Sequence, residues 1–144
     1  MRLESLEHVF IDAFPESLSP GYLYISIPYA SATHLCCCGC GNQVVTPMTP
    51  TDWRLTYDGE TVSLYPSIGN WSFDCQSHYW IKRNRVEWAK RWSRDEIRAG
   101  RERDRIAKGT HYRAVQVKED HDPEETPGPW WLALWRRIRQ GRKY

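Results

Sequence analysis

All five cysteines of this chain fall in two short patches, and no other feature restricts its fold as much. The first patch reads His34-Leu35-Cys36-Cys37-Cys38-Gly39-Cys40-Gly41, the second Cys75-Gln76-Ser77-His78. Small buried hydrophobes account for single cysteines, not for this density. Thiolates and an imidazole hold zinc in a tetrahedron, and ligands from two distant segments staple two loops together. An odd number of cysteines also leaves a disulfide-only scheme with a thiol over. The expected metal is therefore Zn2+, and its candidate ligands are Cys36, Cys38, Cys40, Cys75 and His78.

These five candidates compete for four positions, with His34 as a sixth. In an extended loop Cys36, Cys38 and Cys40 share one side, which leaves Cys37 as the bystander. The most economical set is Cys38, Cys40, Cys75 and His78, with Cys36 as the main substitute. Gly39 and Gly41 let the backbone turn sharply, so that amides can point at the sulfurs.

A chain of 144 residues is of single-domain length, and its modest core would gain from a structural metal. Charges among the first ten residues argue against a signal peptide, and no apolar run approaches the roughly 18 residues of a membrane span. A cytoplasmic location is expected, where thiols stay reduced and cysteine clusters mean metal or catalysis. Charge is unevenly spread. Residues 1–81 hold eight acidic and two basic residues, and residues 82–144 hold 18 basic and ten acidic. The basic half suits a protein partner, and nucleic acid is a further candidate through Lys82, Arg83, Arg85, Lys90, Arg91 and Arg94 interleaved with Trp88 and Trp92. The same interleaving also suits core packing at helical spacing.

Pattern divides the chain in two. Residues 21–30, 43–46, 53–57, 61–65, 78–82 and 86–88 read as short strands rich in β-branched and aromatic residues. Asp58-Gly59 marks a hairpin, Asn84 a turn, and residues 66–70 a loop. Ser93-Arg94-Asp95-Glu96 fits a capping box opening a charged helix that should stop near Gly109. Residues 118–129 have the composition of a Pro/Glu linker, and Trp131, Leu134, Trp135 and Ile138 form the apolar stripe of a last amphipathic helix, suited to a partner groove or a membrane surface. The expected class is α+β: a β-rich, zinc-stapled domain over residues 1–92, a charged helix and extension over 93–117, the linker, and a Trp/Arg helix over 130–144.

One longer pattern joins the patches. His34-x-Cys36-x-Cys38-Gly39-Cys40-Gly41, Leu64-x-Pro66-Ser67-Ile68-Gly69-Asn70-Trp71-x-Phe73 and Cys75-x-Ser77-His78-Tyr79-Trp80-Ile81 together resemble a family of small bacterial zinc-binding proteins associated with gene clusters for ubiquitin-like conjugation. The resemblance covers roughly residues 33–88. It implies a zinc-binding accessory or interaction protein of such a pathway, with a ubiquitin-like protein or its conjugating enzymes as partners.

Enzymatic readings stand beside it. A catalytic zinc needs an open position and a nearby carboxylate, yet the chain has no His-Glu-x-x-His, and Asp74 next to Cys75 would face away. A surplus thiol such as Cys36 beside zinc could act as a nucleophile in a peptidase or transferase acting on protein. Ser67 or Ser77 with His78 could do hydrolase chemistry, although no nucleophile-elbow pattern surrounds either serine. The bland alternative for Ser67, Asn70 and Trp71 is a turn whose polar groups bond the backbone while the indole packs inward.

Overall fold

The computed structural model describes residues 1–121. The first four residues of the linker expected at 118–129 are the end of a helix, and the rest of it and the Trp/Arg segment at 130–144 lie outside the described residues. Eight short strands form two four-stranded sheets. The first contains β1 (Glu7–Phe10), β2 (Tyr22–Ser26), β3 (Ser31–Leu35) and β4 (Gln43–Pro47), in chain order. β1 runs parallel to β2, and the other pairs are antiparallel. The second sheet is an antiparallel meander of β5 (Arg54–Tyr57), β6 (Val62–Gly69), β7 (His78–Lys82) and β8 (Arg85–Trp88). One helix follows, α1 (Arg94–His121).

Alternation builds the core. Leu23 and Ile25 on β2, Ala32 on β3 and Val44 on β4 share a buried cluster with Val62, Leu64 and Ile68 on β6, Tyr79 and Ile81 on β7, and Val86 on β8. Burying each large aliphatic contributes about 1.5–3 kcal/mol over leaving it in water. Polar contacts also cross between the sheets, as where His8 Nδ1 accepts from Asn84 Nδ2 at 2.9 Å. Inside the core His34 Nε2 lies 2.8 Å from the Tyr79 hydroxyl, and burial holds the imidazole down at about 4, so it is neutral. The N-terminal segment ties the sheets again, since Leu6 N–H donates to the Asn84 carbonyl and Val86 N–H to that of Glu4.

Both hairpin signals appear where expected. Asp58 Oδ1 accepts from the amides of Glu60 and Thr61. Arg83 and Asn84 both have positive φ between the paired Lys82 and Arg85, the two-residue turn whose twist matches its strands. The capping box also forms, with Ser93 N–H donating to Glu96 and Glu96 N–H to the Ser93 hydroxyl.

Four elements differ from the sequence reading, the first being β1, which it left unassigned. Residues 21–30 are not one strand: β2 ends at Ser26, and a turn through Pro28 and Ala30 (φ 43°) starts β3, which leads directly into the cysteine loop. β6 continues through Pro66–Gly69, where a loop was expected. Proline is tolerated there because β5 pairs with β6 only as far as Arg54↔Tyr65, so no neighbour on that side needs its missing N–H. Finally, α1 passes through Gly109 to His121. A glycine inside a helix costs about 1 kcal/mol, less than ending a helix whose next turn is already satisfied, as by Thr110 Oγ1 donating to the Ile106 carbonyl.

Candidate functional site

The cysteine loop leaves β3 at Leu35 and closes on itself through Cys36 N–H to the Asn42 carbonyl and Gly39 N–H to the Cys36 carbonyl. Gly39 (φ 85°) is the required residue at the tip, because a Cβ there would meet the Met1 carbonyl oxygen at 2.9 Å. Successive turns at Phe73 and Gln76 bring Cys75 up to this loop. The Sγ atoms of Cys36, Cys38, Cys40 and Cys75 all lie within 4.8 Å of one another. Individual separations are 3.4 Å for Cys36–Cys38, 3.9 Å for Cys36–Cys75 and 3.8 Å for Cys40–Cys75. Four sulfurs at 2.3 Å from a tetrahedral zinc stand about 3.8 Å apart, so the spacing suits such an ion. The four cysteines could hold a metal.

Cys37 is turned away from its neighbours into the core, where burial pushes its thiol up to about 12. At the most exposed of the four, Cys40, the burial penalty is outweighed by hydrogen bonds to its sulfur from Asn42 and the adjacent thiols, and the thiol falls to about 7. His34 is buried between the sheets and outside the cluster. His78 is outside it too, since side chains alternate along the chain. Ser77 takes the cysteine side, 3.1 Å from Cys36 Sγ, which turns His78 to the outer face of the second sheet.

On that face His78 meets Ser67. Between Leu64 and Ile68 the register of β6 against β7 shifts, so that three β6 residues stand where Trp80 alone separates their partners. This bulge carries Ser67, and bulges re-aim side chains in this way. Ser67 Oγ lies 2.9 Å from His78 Nε2, while His78 Nδ1 lies 2.9 Å from the Lys90 carbonyl oxygen. A carbonyl only accepts, so Nδ1 carries a proton, and in the neutral imidazole Nε2 presents its lone pair to the serine hydroxyl. Trp71, Trp80 and Trp92 surround the imidazole, with ring centroids 5.0, 5.6 and 5.1 Å away, and leave it 5% exposed.

The two constellations stand back to back on β6 and β7. Between them Asn70 Nδ2 donates to Ser77 Oγ at 2.9 Å, and Ser77 in turn contacts Cys36. In the basic, aromatic stretch the indoles follow the core-packing reading of their spacing. Trp92 stacks on Trp71 at 5.4 Å, and Trp88 packs on Tyr79 at 5.2 Å. These indoles are committed to the domain. No helix of the described residues is long and apolar enough to cross a membrane.

A family model described as "Bacterial ubiquitination-like system serine protease (BubE)" matches residues 10–89, more than half of the chain. The chain belongs to the BubE family. The match spans both the cysteine cluster and the Ser67–His78 pair. No curated protein and no solved structure matches significantly. BubE membership agrees with the association with ubiquitin-like systems expected from the motif. The description's words "serine protease" bear on the hydrolase alternative read from the sequence, Ser67 or Ser77 with His78, of which the structure brings Ser67 to the imidazole. The available signal was Ser67 and Gly69 two residues apart, followed by His78: alternate positions share a strand face, and a glycine leaves room there for a neighbour.

Proposed function

We propose that this BubE protein is a serine peptidase of a bacterial ubiquitination-like system, with Ser67 as nucleophile and His78 as general base. The chain of contacts from the Ser67 hydroxyl through His78 to the Lys90 carbonyl carries the proposal. It supplies a nucleophile, a base in hydrogen-bond reach and a group that orients the base. Ser67 Oγ attacks the carbonyl carbon of a peptide bond, and its proton passes to His78 Nε2. The C–N bond breaks as His78 returns that proton to the leaving amine. Water then attacks the ester on Ser67 and gives one proton to His78. The C–O bond to Ser67 breaks as His78 returns that proton to Oγ, and the acid product leaves, ionising to a carboxylate in solvent. The protein partner expected from the sequence becomes the substrate, and the accessory role gives way to an enzymatic one.

The cysteine cluster takes a separate part. We assign it to a structural Zn2+ held by Cys36, Cys38, Cys40 and Cys75, which leaves no protein-free position and no role for His78. Such an ion would cross-link the β3–β4 loop to the β6–β7 loop. A site closed by four thiolates also removes Cys36 from consideration as a nucleophile, and its burial pushes the free thiol up, against reactivity.

The test is covalent labelling of the full chain with an alkyl fluorophosphonate, followed by peptide mapping. Phosphonylation at Ser67, lost in both Ser67→Ala and His78→Gln, is expected. Labelling elsewhere, or none, overturns the assignment.

A further inference from the structure

A cleft of about 680 Å³ opens beside the residue that precedes the nucleophile, lined by Ala30, Met48, Trp53, Leu55, Tyr65 and Pro66 among others. Its origin is topological. β5 parts from β6 at Arg54↔Tyr65, and Trp53 N–H turns instead to the Pro47 carbonyl at 3.1 Å. Past Tyr65, therefore, β6 pairs with β7 alone, through Ile68↔Tyr79 and Gly69↔His78. Ser67 lies in this half-paired stretch, one residue from the cleft.

We propose that the cleft is the recognition site for the substrate of the Ser67–His78 pair: it takes an apolar side chain of an extended peptide segment lying along the free side of β6, in the line that β5 abandons. The inference rests on the proposed peptidase activity. Three observations support this occupant. The lining is aliphatic and aromatic, and its two charged members are engaged, Asp52 with Thr49 Oγ1 at 2.6 Å and Arg54 over the Tyr65 ring at 5.5 Å. A charged substrate side chain would lose its water there with little to replace it. Ile27 and Tyr65 stand 63% exposed at the cleft, more apolar surface than isolated residues need leave in water. The unpaired flank of β6 offers main-chain partners to an extended chain, and strand addition both straightens a peptide and presents its carbonyls. Trp53 Nε1, buried beneath the cleft, has no hydrogen-bond partner among the described residues.

The experiment compares rates at which Ser67 is modified by peptidyl diphenyl phosphonates bearing Phe, Asp or Lys next to phosphorus. In this reaction Ser67 Oγ bonds to phosphorus, phenoxide departs, and the serine proton leaves through His78. The Phe probe should react at least about ten-fold faster than the Asp and Lys probes. Met48→Trp, which fills the cleft, should slow the Phe probe by about ten-fold relative to a small ethyl fluorophosphonate measured on the same variant. Met48→Glu should shift preference to Lys. Equal rates for the three probes, or Met48 variants that alter none of them, overturn the proposal. If the fluorophosphonate itself leaves Ser67 unmodified, the peptidase reading fails. The cleft is then decided by NMR: a saturable shift of the Met48 methyl resonance with the Phe peptide sustains it, and no shift overturns it.

Discussion

Gly69 is the ladder partner of His78, and the side chain it lacks is what makes room for the indole of Trp71 beside the imidazole. A Cβ at Gly69 would overlap Nε1, Cε2 and Cζ2 of that indole. The close approach also explains why a strand ends in Gly-Asn-Trp: glycine beside the partner strand, Asn70 inward, Trp71 folded back over the glycine. Gly69→Ala should therefore displace Trp71 and loosen His78. The expected cost is about 1–3 kcal/mol, read as a lower urea midpoint, together with slower labelling of Ser67. An unchanged midpoint would mean that the indole has somewhere else to go.

Two serines flank the site from opposite sides, and their variants should separate. Ser67→Ala removes the nucleophile and should lower peptide cleavage by about 10³-fold or more with little change in Tm. Ser77→Ala leaves Ser67 reactive but deprives Asn70 of its shortest acceptor, leaving the longer contacts to Tyr79 and Cys36, and should cost about 1–3 kcal/mol. Calorimetry and labelling on both variants check this, and reversed phenotypes would reverse the two roles.

Metal content distinguishes the cluster from the imidazole. Elemental analysis should find one zinc per chain, absent from Cys40→Ser and Cys75→Ser but retained in His78→Gln. The cysteine variants should lose about 2 kcal/mol or more, since an ion bound only by the folded chain stabilises it. Loss of zinc from His78→Gln would restore the imidazole to the ligand set.

Acid should weaken the fold partly through His34. Its imidazole titrates at about 4 in the folded chain against 6.5 ordinarily, because burial disfavours the charged form. As pH falls below 6.5 the unfolded chain takes up a proton that the folded chain refuses until about 4. The contribution is thus complete above the higher value and lost on the way to the lower, up to about 3 kcal/mol. His34→Gln can still bond Tyr79 and should flatten this slope in urea titrations between those values. Acid release of metal affects both proteins and drops out of the comparison.

What could be read from the chain alone was what short range controls. Asp58-Gly59, Asn84 and the Ser93–Glu96 box act within a few residues, and each formed as its chemistry demands. The cysteine patches announced themselves by density, because thiols so crowded have few other uses. The rest depended on register. Whether His78 joined the cysteines or faced Ser67 turned on the side of the chain that Ser77 took, and that followed from packing Tyr79 and Ile81 into the core. The Ser67–His78 contact needed a shift of β6 against β7 beside a partner strand that stops at Arg54. Local propensity names the strand, but which atoms a strand brings together is decided by how it pairs, and pairing is settled by burying one common core.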